Sequence, residues 1–317
     1  MTVHEATHHG SLIADAFAMP VHWYYNREVM DRDYPDLDRY LPPLAHHPDS
    51  ILWRSKYTPI NEKGNILHDQ ACFWGQRNIH YHQNLKAGEN TVNFKLSEAL
   101  YDQVQVNGSY EPTNWVENYI DLMLTPGWHR DTYLEEYHRA FFTRYAQGKD
   151  ILKCGISDEH IGGLATVPAL WAALPDGDHR QTIKTHVTLT HRHSNVLRAA
   201  DCLTRLLQSI ADGTPLRDAL MTQAGDWFST RKATTWSRQD DRVVVGQKLS
   251  PACYIDQSFP ASLYLAWKYH DDFTGAVIVN AKVGGDSCHR GAVVGSLVAA
   301  ETVRSTGKFD LNPFPVG

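Results

Sequence analysis

The sequence reads Gly284-Gly285-Asp286-Ser287-Cys288-His289-Arg290-Gly291 near its C-terminal end, and a run of small apolar residues, 292–300, follows directly. Paired glycines allow close approach of the backbone to another group, because glycine has no Cβ atom. The free amides at a helix N-terminus favour anions. The segment therefore predicts a ligand-binding loop that leads into a helix.

Hydrophobic periodicity predicts helices through the C-terminal half. One begins at residue 194 or 195, carries an apolar stripe and stops at Asp212-Gly213. Another is expected to start at an N-cap Ser258, with Pro260 in its first turn. A third, capped by the two acids before it, is expected over 273–282.

The N-terminal part is predicted to be less regular. Residues 12–18 are expected to form a short helix that ends before Pro20, since the residue before a proline is pushed out of helical conformation. The proline-rich segment 26–70 predicts an irregular cover. The best strand signal is 242–246. No linker or repeat divides the chain, so we expect a single all-α domain over residues 1–317.

Composition excludes several classes of function. The 317 residues include 30 Lys and Arg against 36 Asp and Glu, a net charge of -6, which leaves no basic surface for nucleic acid. No apolar run reaches the roughly 20 residues of a membrane helix, and the first residues lack a signal-peptide pattern. The five cysteines are scattered. We expect a cytoplasmic protein that binds neither nucleic acid nor membrane.

Aromatic and histidine residues are unusually frequent, with 18 His, 15 Tyr and 9 Trp. Such side chains stack on flat rings and bind hydroxyls, which favours a nucleotide or another polar aromatic ligand. They are equally suited to half-buried packing. Both interpretations stay open. A loop after Pro20 places His22, Trp23 and Tyr24 together, and His80 and His82 follow later in the chain.

Three segments resemble the motifs of the ADP-ribosylglycohydrolase family. They are residues 284–289, 10–22 and 88–91, where the family has Gly-Gly-Asp-Thr-Asp-Thr, Gly-Asp-Ala-(Leu)-Gly-x-Pro-x-Glu and Thr-Asp-Asp-Thr. Weaker matches lie in the same order at 161–170, 189–191 and 254–261. The resemblance implies a compact orthogonal bundle of helices, with a cleft formed by loops at helix ends. It also implies cleavage of a glycosidic bond to ADP-ribose with two divalent cations.

The acidic pairs that hold those cations are largely replaced. Glu89 and Asn90 stand at the first pair, and Asp286 is the only acid kept in the second. Hard cations require several carboxylate oxygens. Glu89, Thr91 and Asp286 still offer oxygen ligands, so the sequence allows one Mg²⁺ ion at these three residues. It predicts no certain cofactor and no intact two-metal cluster.

Four residues are the catalytic candidates: His22, Glu89, Asp286 and Cys288. His22 stands where the resemblance implies a glutamate at the scissile bond, and a histidine can act as a general base near neutral pH. The alternative is a histidine bonded to a backbone carbonyl. Cys288 at a helix N-terminus is expected to have a lowered pKa, as a nucleophile needs, with His22 or His80 as its base. Its alternative is a small buried packing residue.

The other candidates are expected to contact a ligand. Arg290 offers a fork of donors suited to phosphate, and Asn90 and Asn93 offer amides for hydroxyls. Gly162 and Gly163 permit close approach of a loop backbone. The full set is Asp15, Trp23, Tyr24, His80, His82, Asn90, Asn93, Gly162, Gly163, Gly284, Gly285, His289 and Arg290.

Three functions remain open from the sequence. The favoured one is a divergent hydrolase or lyase that acts on an ADP-ribosyl, nucleoside-like or other polar substrate, because the lost acids are replaced by reactive residues rather than by alanine. The second is a non-catalytic ligand-binding or crystallin-like structural member of the family. The third is a repurposed enzyme that uses acid-base or Cys288 chemistry on a small metabolite.

Overall fold

The computed structural model of the protein describes residues 1–174 and 177–317, and its regular structure is helical. The α-helices are α1 (Val3–Ala18), α2 (Arg27–Asp33), α3 (Val92–Asn107), α4 (Pro112–Leu124), α5 (Glu136–Ala146), α6 (Val167–Ala173), α7 (Arg180–Thr188), α8 (Ser194–Ala211), α9 (Leu216–Gln223), α10 (Thr230–Trp236), α11 (Asp241–Val243), α12 (Ile255–Lys268), α13 (Phe273–Lys282) and α14 (Ser287–Thr306). Short 3₁₀ turns lie at Met19–Val21, Glu62–Gly64, His68–Phe73, Ile151–Lys153 and Ile161–Leu164, and a π turn at Val244–Lys248. In the described ranges, β pairing is limited to isolated bridges. The all-α prediction is confirmed.

Helices α1 and α14 cross closely at the centre of the molecule. A Cβ atom at Gly10 would overlap Ala299, and one at Gly295 would overlap the Gly10 carbonyl. Only glycine fits at these two positions without a shift of a helix. Residues 287–301 of α14 are all buried, as expected of a helix at the core of a large domain. The crossing brings Asp15 on α1 close to the start of α14.

Two predicted helices agree with the structure, and a third starts earlier than expected. Helix α8 ends at Ala211 before its predicted stop, and Asp272 caps α13 by accepting a hydrogen bond from the Gly275 amide. The prediction that Ser258 caps α12 is wrong, since the helix starts at Ile255. The Ile255 amide donates to the Glu159 carbonyl, and this backbone contact turns the chain into α12 ahead of Ser258.

The strand expected at 242–246 is absent from the described structure, which has the end of α11 and a π turn there. Arg242 explains the difference. Its Nη2 pairs with Asp31 on α2, and its Nε donates to the carbonyl of Lys282 at the end of α13. These contacts hold the segment against two helices, and they outweigh the β propensity of three consecutive valines.

The N-terminal region is more helical than predicted. Residues 12–18 are the last part of α1, which begins at Val3 because Thr2 and Glu5 form a reciprocal capping box. The helix ends at a 3₁₀ turn that contains Pro20. The segment 26–70 is mostly irregular, as expected, but contains α2 and short 3₁₀ turns. None of the described helices combines the length and apolarity needed to span a membrane.

Candidate active site

Asp286 is the N-cap residue of α14, and it lies at the centre of a buried cluster of histidines. Its backbone amide donates to the Pro251 carbonyl, and its Oδ1 atom accepts from the His289 amide at 3.3 Å. Oδ1 also lies 3.0 Å from Nε2 of His22 and 2.7 Å from Nδ1 of His289. Nε2 of His160 lies 3.5 Å from Oδ2. Asp286, His22 and His289 are buried, and His160 is partly exposed.

The Gly284-Gly285 loop holds Asp286 in place through contacts with the protein itself. Both glycines have left-handed φ angles, 76° and 70°. The Gly285 amide donates to the Tyr24 carbonyl at 2.7 Å. A Cβ atom at Gly285 would overlap the Pro251 carbonyl. The close approach that the sequence predicts for a ligand is therefore made here to the protein's own backbone.

The same loop fixes Trp23 in an unusual conformation. Trp23 has a φ angle of 64°, which is costly for a large side chain, and its amide donates to the Gly285 carbonyl at 2.8 Å. The indole stacks on the imidazole of His22, with centroids 3.7 Å apart and an interplanar angle of 20°. Strain of this kind persists where surrounding contacts impose it, and here it places Trp23 between the cluster and a cleft.

A line of hydrogen-bonding groups runs from Asp286 through the interior. Nδ1 of His22 lies 2.8 Å from Nε2 of His82, and Nδ1 of His82 lies 2.7 Å from Oδ1 of Asp131. The two imidazole planes are parallel within 1°. All four side chains are buried. The sequence predictions of His22 and His82 thus fall in one network, together with an acid, Asp131, that the sequence analysis missed.

A second branch starts at His289 and includes Asn93. Nε2 of His289 lies 3.3 Å from Oε1 of Glu135 and 3.1 Å from Nδ2 of Asn93. The Asn93 amide also donates to Glu135, at 2.9 Å. On its other side Asn93 Oδ1 accepts from the hydroxyl of Tyr137 and from Nε2 of His138. In this structure Asn93 orients Glu135, and the predicted contact of Asn93 with a ligand remains a prediction.

The charges of the cluster are coupled. Burial opposes a charge on Asp286, but His289 and the hydrogen bond from His22 outweigh it and hold the pKa of Asp286 well below its ordinary value. Burial also opposes a charge on His289, yet Asp286 and Glu135 raise its pKa to about 10. For His22 burial dominates and lowers the pKa to about 3. Glu135 has a lowered pKa because His289 offsets its burial. The cluster thus combines two anionic carboxylates, a cationic His289 and a neutral His22.

A cleft with a volume of about 490 Å³ opens beside this cluster. Its polar lining includes Glu135 and His160, which contact the cluster, together with Cys253, Arg54 and the acids Asp49, Glu136 and Asp158. The aromatic lining consists of Trp23, Tyr25, Tyr81, Tyr133 and Tyr254. An apolar, aromatic wall with a few convergent polar groups is typical of a small-molecule site.

Glu89 and its neighbours lie in a different set of contacts. Glu89 pairs with Arg130, with Oε2 and Nη2 2.5 Å apart, and is partly exposed. The amide and hydroxyl of Thr91 and the side chain of Asn90 all donate to the carboxylate of Asp15 at 2.9 Å. These bonds join the start of α3 to α1. The predicted catalytic role of Glu89, and the ligand contacts of Asp15 and Asn90, remain predictions, and the contacts seen are structural ones.

The environment of Cys288 differs from the one expected for a nucleophile. Its thiol is buried, 3.7 Å from the Asp15 carbonyl, and burial raises its pKa well above the ordinary value, the opposite of the lowered pKa predicted at a helix N-terminus. Arg290 is buried as well. Its guanidinium donates to the side chain of Asn280 and to the carbonyl of Gly284. Both side chains thus serve the packing of the loop in this structure.

Tyr24 and His80 also make internal contacts. The Tyr24 hydroxyl donates to Asp33 at 3.2 Å, and Nε2 of His80 lies 3.0 Å from the Pro20 carbonyl. Both side chains are buried beside the His22 loop. They support the conformation of that loop rather than line the cleft.

Gly162 and Gly163 allow side chains to pack tightly beside the cluster. A Cβ atom at Gly162 would lie 2.7 Å from the Tyr137 hydroxyl, and one at Gly163 would lie 2.6 Å from Cγ1 of Val196. The Gly162 amide donates to Nδ1 of His160 at 2.8 Å. A neutral His160 therefore carries its proton on Nε2, which faces Asp286. The glycines position His160 at the cleft.

The donor atoms around Asp286 do not fit two magnesium ions. Such a pair requires several carboxylate oxygens, and Glu89 and Thr91 contact Arg130 and Asp15 instead of Asp286. Among the described residues, the closely spaced ligand groups are His22-Asp286-His289 and His160-Cys253-Asp286. Sets rich in nitrogen and sulfur suit transition metals rather than Mg²⁺. Glu89, Thr91 and Asp286, at which the sequence allows one Mg²⁺ ion, make separate contacts in this structure.

The sequence analysis missed Glu135, Asp131 and Cys253 as members of the site. Asp131 and Glu135 precede α5, and a Glu-x-x-His spacing at Glu135 and His138 was the available signal. Cys253 lies in the loop before α12. The packing of the helices brings these loops to the cluster. No pattern in the sequence of the loops predicts that packing.

The fold and this cluster together define an all-helical protein with a centre of histidines and carboxylates beside an aromatic cleft. The model of the family described as "ADP-ribosylglycohydrolase" matches residues 6–302. The chain therefore belongs to the ADP-ribosylglycohydrolase family. This is a glycohydrolase family, and the resemblance seen in the sequence is confirmed.

A solved structure described as an "ADP-ribosylglycohydrolase-related protein complex" has the same fold. It is 16% identical in sequence, and the match covers 94% of this chain and 88% of that chain with a TM-score of 0.57. At this identity the likeness shows the fold alone. Curated proteins give no significant match.

Proposed function

We propose that the protein is a hydrolase that cleaves a glycosidic bond in an ADP-ribosyl or nucleoside-like substrate bound in the cleft. The observation that carries the proposal is Glu135 at the cleft. Its Oε1 atom is held by His289 and Asn93, whereas Oε2 has no hydrogen-bond partner among the described residues. An oriented carboxylate suits a reaction that develops positive charge on a sugar ring.

The cleft walls support a substrate with a flat base, a ribose and a phosphate. Trp23 and Tyr133 meet edge to face at 5.4 Å, and Trp23 and Tyr81 at 4.7 Å, so they form a wall on which a base can pack. Arg54 offers a fork of donors suited to phosphate. The volume of about 490 Å³ lies within the usual range for small-molecule sites, roughly 300–1,000 Å³.

Two side chains are in position to contact the reacting atoms. Glu135, which has a lowered pKa because His289 offsets its burial, would take a proton from water or stabilise the cationic transition state. His160, with its Nε2 proton, would donate a hydrogen bond to an oxygen of the substrate. His22 and Asp286 are fully buried and act as positioning residues through His289 and His160.

The first experiment is a calorimetric titration of ADP-ribose into the chelator-treated protein, with and without added divalent metal, followed by an assay of ADP-ribose release from an ADP-ribosylated arginine peptide. We expect binding and turnover. Glu135→Gln should keep ADP-ribose binding but reduce turnover at least about 100-fold, because the carboxylate can no longer accept a proton. Glu98→Gln, on the exposed side of α3, is the matched control and should leave both unchanged.

The outcomes separate the three functions. Full turnover in Glu135→Gln would end the assignment of the base. Binding of ADP-ribose without turnover in the wild-type protein would identify a non-catalytic member of the family. Loss of turnover in Cys288→Ser with the fold intact would favour the repurposed enzyme, whereas unchanged turnover would exclude its covalent form. All five cysteines are free thiols, which supports the proposed cytoplasmic location.

A further inference from the structure

We infer that His22, Asp286 and His289 form a site for one divalent transition-metal ion of the zinc class, in place of a pair of magnesium ions. The site lies in the same cluster as the proposed reaction, and binding of the ion does not depend on turnover. The ligand atoms would be Nε2 of His22, a carboxylate oxygen of Asp286 and Nδ1 of His289. The ion would displace the Nδ1 proton of His289, and the neutral ring would keep its Nε2 proton toward Glu135.

The spacing of these atoms suits coordination. They lie within 4.8 Å of one another, with 3.0 Å and 2.7 Å from the Asp286 Oδ1 atom to the two nitrogens. Ligands at about 2.0–2.1 Å from a tetrahedral ion are about 3.4 Å apart, so these two separations need to increase by about 0.4 and 0.7 Å. Asp286 and His289 lie three residues apart at the start of α14, and positions at this spacing share a helix face.

The count of hydrogens along the line from Asp131 to Asp286 points to a cation. Its three contacts, Asp131 to His82, His82 to His22 and His22 to Asp286, measure 2.7, 2.8 and 3.0 Å. Each contact needs one hydrogen. Carboxylates supply none and two neutral imidazoles supply two, so one contact is left without a donor.

A metal ion between His22 and Asp286 completes this line. The Nε2 lone pair of His22 then binds the ion, its Nδ1 proton goes to Nε2 of His82, and the Nδ1 proton of His82 goes to Asp131. Metal-bound histidines usually donate their other ring proton to a carboxylate or another acceptor, which fixes the ring. Here a second imidazole, that of His82, lies between the proposed ligand His22 and the carboxylate of Asp131.

Unpartnered buried oxygens supply an independent observation. Asp286 Oδ2, Glu135 Oε2 and Asp131 Oδ2 are buried and have no hydrogen-bond partner among the described residues. The ion pairs recorded for these three carboxylates are with histidines. Buried charges need compensation, and the single cationic histidine, His289, is shared by Asp286 and Glu135. A divalent ion at Asp286 would supply the missing positive charge.

The other closely spaced group, His160-Cys253-Asp286, is a weaker candidate. Nδ1 of His160 accepts a hydrogen bond from the Gly162 amide, so in the neutral ring the Nε2 atom carries a proton. A protonated nitrogen has no lone pair for a metal. His160 is therefore not a ligand in its neutral form.

The test is a titration of the chelator-treated full chain with Co²⁺, followed by visible absorption and by competition with Zn²⁺. We expect one tightly bound Co²⁺ per chain, displaced by Zn²⁺ and not by Mg²⁺. His22→Gln and Asp286→Asn should abolish the absorption band. Asp131→Asn should keep one ion per chain with an affinity about 10–100-fold lower, as for the loss of an outer hydrogen-bond partner. His8→Gln, a buried histidine stacked on Tyr101, is the control and should bind normally.

Circular dichroism of each variant checks the fold. If a variant does not fold, X-ray absorption at the zinc edge of the wild-type protein decides, since a first shell with two imidazoles supports the site and one without imidazole overturns it. An unchanged Co²⁺ spectrum in folded His22→Gln would also overturn it. A protein that turns over substrate but binds no Co²⁺ or Zn²⁺ would reject this inference alone, whereas an intact metal site without turnover would reject only the proposed reaction.

Discussion

Asp286 and Asp201 are two carboxylates with lowered pKa values, but their partners and their positions in the molecule differ. Asp201 on α8 lies near the surface, within 2.8–3.2 Å of Arg180, Lys184 and Arg205. Burial opposes its charge, but the hydrogen bonds from these cations outweigh it and lower its pKa to about 2. Asp286 lies in the interior and pairs with histidine rings only, within the described structure.

The two carboxylates differ in whether the charge of their partners is fixed. Arginine and lysine stay charged at neutral pH, so the surroundings of Asp201 have one fixed state. A histidine can be neutral or cationic and can bind a metal ion, so the charge around Asp286 depends on which of its histidines carries a proton or an ion. A site that handles protons or ions needs the second arrangement.

The largest expected effect is on stability, from Asp286→Ala. The change leaves the cationic His289 without its nearest anion in the interior, and breaking a buried pair costs about 3–5 kcal/mol. Urea denaturation of the wild-type protein and of Asp286→Ala measures the difference in the free energy of unfolding. A loss of stability no larger than that of Asp201→Asn would contradict the comparison.

A smaller effect is expected from Asp201→Asn, about 1 kcal/mol at neutral pH, since the cations around Asp201 are partly exposed. The pKa of Asp201 is lowered in the folded state, so its contribution is present above its ordinary value of 3.8 and disappears as the pH falls toward about 2. Denaturation of the wild-type protein and of Asp201→Asn across this pH range should give free energies of unfolding that converge at the acid end. A difference that persists there would contradict the assignment to charge.

The smallest expected effect comes from salt. The Debye length falls from about 10 Å at 0.1 M to about 3 Å at 1 M ionic strength, which screens exposed charges and hardly affects buried ones. Added NaCl should reduce the destabilisation caused by Asp201→Asn by a few tenths of a kcal/mol and leave that of Asp286→Ala unchanged. Equal responses of the two variants would remove the contrast.

Much of the fold was predictable because long helices carry their own signals. The stripe and stop of α8 and the acidic cap of α13 lie within the segments that they define. The start of α12 and the turn at 244–248 depend on backbone and side-chain contacts with distant segments, and local patterns do not contain these.

The residues of the site were also only partly predictable from the sequence. His22, His82, Asn93, Asp286 and His289 lie in or near motifs with a recognisable frame, and the structure brings them together. The partners that give them their chemistry come from loops before α5 and α12. Histidine tautomers and unpartnered oxygens depend on three-dimensional contacts, so the proton count along the line to Asp131 could not be made from the sequence.

The close crossing of α1 and α14 has a consequence for the order of events during synthesis. Helix α1 leaves the ribosome first, but the groove that receives Gly10 and its neighbours belongs to the last helix of the chain. Contacts between segments so far apart in sequence form late and slowly. His22 and Asp286 therefore meet only after α14 has been translated, and a nascent chain that lacks this helix has no assembled centre.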